Sequence, residues 1–187
     1  RIWGVWVRND DVPFTFVQPR EPVSRQIFVE DDPASPAAQF VMGNLFPPRD
    51  DASYASALLA AHIFQERLTK ALPTSLLTVG TEGRRMPGPF YVQGQSAAEQ
   101  AVQEILRIES VAEEMKLSPV SAEEVESVRA RLLDEFRGGL NTPAGLCGIM
   151  LEAELYRLGS SHASAFPEQL RRSTPDTILQ AAKKFIF

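Results

Sequence analysis

The chain has 187 residues, 44% of them hydrophobic and 23% charged, with a formal net charge of -5. That length supports one well-cored domain and is short for two, and the composition is that of an ordinary globular protein. No apolar run reaches the roughly eighteen residues that a membrane-spanning helix needs, and no basic stripe or tail offers a surface to nucleic acid.

The single cysteine, Cys147, excludes an intramolecular disulfide and a multi-cysteine zinc site, and leaves both cytoplasm and periplasm open. In its mixed small and apolar helical setting it reads as a buried, inert thiol. The chain starts RIWGVWV, without an initiator methionine or a signal-peptide pattern, which is the start expected of a piece cut from a longer chain.

Residues 2–7 have the β-branched and aromatic content of an edge strand, and residues 9–22 follow as an extended arm without helical period. The expected division is therefore residues 1–22, strand and arm, and residues 23–187, a single domain. Residues 23–30 alternate, with Val23, Ile27 and Val29 on one side, and predict a second strand. DDPASP breaks it, and alternation resumes over residues 38–46 until Pro47.

The stretch PPRDDASYASALLAAHIFQERLTKAL predicts the central helix. Asp50 and Asp51 suit its positive end, Arg67 and Lys70 its negative end, and Pro73 stops it. Between them the residues are apolar almost all round, so the helix is buried on most sides.

Residues 76–82 and 90–95 read as two strands joined by the hairpin loop GRRMPG. Ser96 and Glu99 form an S-x-x-E capping box ahead of a helix with the stripe Ala98, Val102, Ile105, Ile108, Ala112 and Met115. Ser121 and Glu124 repeat the box before Val125, Val128, Leu132, Phe136 and Leu140, a stripe interrupted near Gly138 and Gly139. Thr142 with Pro143 starts a further helix over residues 143–158, with Gly159 beyond its end, and Thr174 with Pro175 starts a last one carrying Ile178, Ala182 and Phe185. Strands, one helix, two strands and then only helices exclude a doubly wound parallel sheet. They predict an α+β two-layer sandwich, an antiparallel-rich sheet with helices on one face.

In that order the chain resembles a domain of the M16 peptidases, the family of pitrilysin, insulin-degrading enzyme and the mitochondrial processing peptidase. The resemblance is carried by DDPASPAAQF, the RDD and Tyr54 helix start, the helix ending in Glu66, Arg67 and Leu68, GPFYVQGQ, PVSAEEVESVRARLLDEF and STPDTILQAAKKFI, all in family order. It implies a pairing of two such domains, one bearing an inverted His-x-x-Glu-His zinc motif and a later glutamate. Two imidazoles one turn apart and a carboxylate would hold the metal, and a glutamate would serve as base.

This sequence has no such motif. Its two histidines, His62 and His162, lie a hundred residues apart. His62 is on the helix that bears the metal in a catalytic relative, but Gln65 and Glu66 stand where that motif has glutamate and histidine. A lone His/Glu pair supplies too few ligands, so a hydrogen-bonded structural histidine is the stronger reading, and His162 in GSSHASAF reads as solvated.

The arginine and tyrosine that many non-catalytic domains place after the central helix are missing from LTKALPTSLLTVG. What remains as candidate substrate-binding residues is Arg84 and Arg85, able to meet a substrate carboxylate or a partner's acidic rim, weighed against an ordinary solvated loop. The resemblance implies a non-catalytic second domain, without metal of its own, that closes with a zinc-bearing catalytic domain, in cis or in trans, around a peptide. Its rival is a proteolytically silent structural subunit like the core proteins of respiratory complexes.

Overall fold

In the computed structural model, which describes Val17, residues 19–32 and residues 34–187, Ser35 and the turn after Asp32 lead into a first strand, β1, Ala37–Phe46. A central helix α1, Tyr54–Ala71, separates it from β2, Leu76–Thr81, and β3, Gly88–Ala97. Helices α2, Ala98–Leu117, and α3, Ala122–Leu140, follow, then α4, Pro143–Leu155, α5, His162–Arg172, and α6, Pro175–Phe185.

The described strands form one antiparallel sheet of order β1-β3-β2, with Phe40 opposite Gly94 and Leu77 opposite the same residue from the other side. Alternation then sorts the side chains. Phe40, Met42, Phe46, Leu77, Val79, Phe90 and Val92 belong to the core, whereas Gln39, Val41, Leu76, Thr78, Gln93 and Gln95 are exposed on the other face. The result is the expected two-layer α+β sandwich.

α1 lies across the inner face with Leu59, Ile63, Phe64 and Leu68 fully buried, as its nearly all-round apolar pattern requires. Phe64 meets Phe90 at 6.0 Å and Phe187 at 6.1 Å, centroid to centroid. Its start is capped indirectly, since Ser53 makes no side-chain cap and instead gives its N–H and hydroxyl to Asp51.

Polar links fix the helices to one another. Ser56 on α1 bonds Ser173 and Thr177, each at 3.1 Å, at the α5–α6 junction. Arg129 on α3 donates to the carbonyl oxygens of Leu170 and Ser173 at 3.0 and 2.7 Å, which satisfies acceptors at the C-terminal end of α5. The capping boxes at Ser121/Glu124 and Thr174/Thr177 and the cap at Thr142 are all formed.

Three expectations differ. Ser96 and Glu99 make no capping box, because β3 runs straight into α2 and Ala97 occupies the cap position. Residues 23–30 are exposed and belong to no strand, with a bend at residues 23–24 and an Arg25–Glu109 ion pair to α2; β1 takes its pairing from β3 instead. α5 was not anticipated, since Pro167 inside it obscures a short stripe of His162, Phe166 and Leu170, all buried at four-residue spacing. The expected strand over residues 2–7 and most of the arm after it lie outside the described residues.

Candidate functional site

α1 leaves one narrow strip uncovered, formed by His62, Gln65, Glu66, Thr69 and Lys70 at three- and four-residue steps. With Arg131 from α3 they line an open hollow of about 430 Å³. Burial, and after it the guanidinium of Arg131, holds the His62 imidazole below its ordinary pKa, against the pull of Glu135 and Glu66. It is therefore neutral near neutral pH.

Neutral imidazole suits a metal, but the rest of the donor set does not. Glu66 stands where the second imidazole is needed and is engaged by Arg131 at 3.3 Å, Gln65 replaces the motif's glutamate base, and no group of three or more His, Cys, Asp or Glu among the described residues is arranged to hold an ion. The strip does not fit zinc. Among the described residues His62 makes no side-chain hydrogen bond of the kind expected of a structural histidine; burial and the charges of Arg131, Glu135 and Glu66 act on it.

Arg84 and Arg85 sit on the exposed loop between β2 and β3. Arg84 pairs with Glu82, and its carbonyl accepts from the Arg49 N–H at 2.8 Å. The loop is closed by Glu82 N–H donating to the Pro89 carbonyl at 2.9 Å, and Gly88 lets the chains approach there: a Cβ at that position would lie 1.8 Å from the Glu82 carbonyl oxygen. Gly88→Ala is expected to lower stability by about 1–2 kcal/mol and to displace the arginine loop, seen as an earlier urea midpoint and shifted amide resonances at residues 82–89.

Beneath this loop lies a polar cluster that the sequence reading did not single out. The Arg49 guanidinium, 17% exposed, donates to the Tyr54 hydroxyl and the Glu152 carboxylate and lies 4.8 Å from the Tyr54 ring centroid. His162 is close by and 7% exposed, against the solvated loop histidine expected; burial, then Arg49, keeps its pKa below the ordinary value. It is buried because it opens α5 and stacks beside Phe166, ring centroids 5.7 Å apart, and Phe136. Cys147, expected to be buried, is exposed on α4.

A second missed feature joins α1 to α3. Arg67 meets both carboxylate oxygens of Glu124, Nε to Oε1 at 2.8 Å and Nη2 to Oε2 at 2.9 Å. The sequence signal was present in both residues, one at a helix end and one in a capping box, but nothing in their local roles paired them.

The family model described as the peptidase M16 inactive domain matches residues 6–132, more than half of the chain. Among solved structures, the chain is similar to the peptidase M16 inactive domain from Pseudomonas fluorescens, with 18% identity and a TM-score of 0.72 over 82% of this chain and 39% of that one. A protease from Helicobacter pylori matches at 11% identity and a TM-score of 0.79, over 97% of this chain and 46% of its own. The ferredoxin protease FusC, in complex with Arabidopsis ferredoxin, matches at 15% identity and a TM-score of 0.62, over 80% of this chain and 17% of its own. At these identities the likeness is one of fold, and the chain spans less than half the length of each. No curated protein sequence matches it. With the match to the family model and the fold in agreement, the chain belongs to the M16 peptidases, as an inactive domain of that family.

Proposed function

We propose that this domain is the non-catalytic partner of a zinc-bearing M16 domain, and that the two enclose and position an extended peptide for hydrolysis at the partner's metal. The observation that carries this reading is the solvent strip of α1. The helix is kept intact and buried on its other sides, while the motif positions hold Gln65 and an arginine-bound Glu66 in place of a base and a ligand.

Zinc in the partner would supply the activated water. This chain would supply surface, holding the peptide so that the scissile bond meets the metal in a productive orientation. Arg84 and Arg85, on the exposed loop, are assigned to the peptide's carboxylates, where guanidinium forks bind well. FusC, a structural relative, occurs in complex with ferredoxin, which supports a role for this fold beside a bound polypeptide.

The test is to mix the chain with an M16 domain of the same source that carries an inverted zinc motif, and to follow a fluorogenic peptide. A rise in kcat/KM of about tenfold or more over the zinc-bearing domain alone is expected, with an increased KM for the R84A/R85A double variant. A complex that forms without any gain in rate would identify a silent structural subunit instead. If no complex forms, the pairing itself is wrong.

A further inference from the structure

α4 differs from every other helix of the fold. None of its residues from Pro143 to Leu155 is buried, although its sequence, PAGLCGIMLEAEL, is almost wholly apolar. Leu146, Cys147, Met150, Leu151 and Leu155 all face water, with Met150 64% and Leu151 59% exposed. The hydrophobic burial that holds the other helices down is therefore nearly absent here.

The chain on both sides is built to bend. Gly138 and Gly139 stand in the last turn of α3 directly before it, and Gly145, where a Cβ would come 2.2 Å from the Gly139 carbonyl oxygen, lets the first turn of α4 pack closely on that turn. On the other side Arg157 adopts φ 58°, in the left-handed region, and Gly159 follows at φ 81°. Between these points, among the described residues, one side-chain ion pair reaches the rest of the domain, from Glu152 to Arg49.

Beneath that pair the polar groups are incompletely satisfied. Arg49 Nε and His162 Nε2 are both buried and make no hydrogen bond to another of the described residues. A half-satisfied network gains less from staying closed than a complete one, because water can reach its orphan atoms once the cover lifts.

We propose that α4 is a detachable arm, in which residues 143–155 swing away as one unit about hinges at residues 138–142 and 156–159, with the Arg49–Glu152 pair as its latch. Opening leaves Arg49 held by Tyr54, returns Glu152 to water and hydrates Arg49 Nε and His162 Nε2. The helix itself gives up little in opening, since none of its own residues is buried when closed. The remainder of the core, centred on α1, is untouched. The arm is a property of this chain's own packing and is independent of the pairing with a zinc-bearing domain.

Hydrogen exchange measured by mass spectrometry on the intact chain tests this. Amides in residues 147–155 should exchange at least about tenfold faster than those in the middle of α1 and α3. Glu152→Gln should accelerate residues 143–155 by about a further tenfold and leave α1 and α6 unchanged, whereas Glu154→Gln, on the outward face of the same helix, should change neither. The proposal is overturned if α4 in the unmodified chain exchanges as slowly as α1, or if Glu152→Gln accelerates all helices equally, which would make the pair a global tie and not a latch.

Discussion

Replacing Phe64 with alanine is expected to lower the unfolding free energy by about 3–5 kcal/mol, the range for deleting a fully buried aromatic side chain. Phe64 is 0% exposed and joins three layers of contact: α1, on which it sits, the sheet through Phe90, and the chain end through Phe187. The sheet and the C-terminal residues are both held by their own backbone bonds, so neither can collapse into the vacated space without breaking register or the end of α6. The cavity should persist, and the cost should lie towards the upper end of the range. Urea denaturation followed by circular dichroism would show a lower midpoint with an unchanged slope. A loss below about 1 kcal/mol would mean that the site relaxes, and that α1 is not the element around which the layers are packed.

Much of this arrangement was legible in the sequence because the signals were local. The all-round apolar pattern of α1 places it in the middle of the core, and three helix starts at Ser121, Thr142 and Thr174 are written in residues that cap their own backbone. What failed depended on neighbours far along the chain. His162 looks solvated among serines and alanines, and only the unrecognised α5 turns it onto the same face as Phe166 and Leu170.

Cys147 shows the opposite error. Its helix is apolar enough to be a core element, yet the fold gives it no surface to pack on, so an apolar composition ended in exposure. Residues 23–30 have the alternation of a strand but form no ladder with any strand among the described residues. In the candidate site, the departure from the inverted zinc motif is legible in the spacing itself, with Gln65 and Glu66 three and four residues after His62. The involvement of Glu66 with Arg131 could not be read there, because 65 residues separate the partners.

The second large effect concerns Glu124, where two unrelated local roles meet in one carboxylate. It accepts from the Ser121 N–H at 3.0 Å, completing the capping box of α3, and it binds Arg67 of α1 through both oxygens. Glu124→Ala should therefore cost about 2–3 kcal/mol, roughly 1 from the cap and the rest from the ion pair. The hydrogen bonds from Arg67, aided by those from Ser121 and opposed by partial burial, push the carboxyl pKa down to about 2. Because the folded value lies below the unfolded one, the carboxylate's contribution is complete above the unfolded pKa and is lost as pH falls through about 2. An unscreened shift from 4.5 to about 2 would correspond to about 3 kcal/mol, but each side chain of the pair is 23% exposed, and solvent screening reduces this to about 1–2 kcal/mol. Glu124→Gln isolates that part. Its deficit relative to the unmodified chain should be about 1–2 kcal/mol near neutral pH, shrink between about pH 4.5 and pH 2, and vanish below. Urea titrations across that interval read it directly, and a deficit that stays constant with pH would show that Arg67 stabilises α3 through packing of its guanidinium and not through the charge on Glu124.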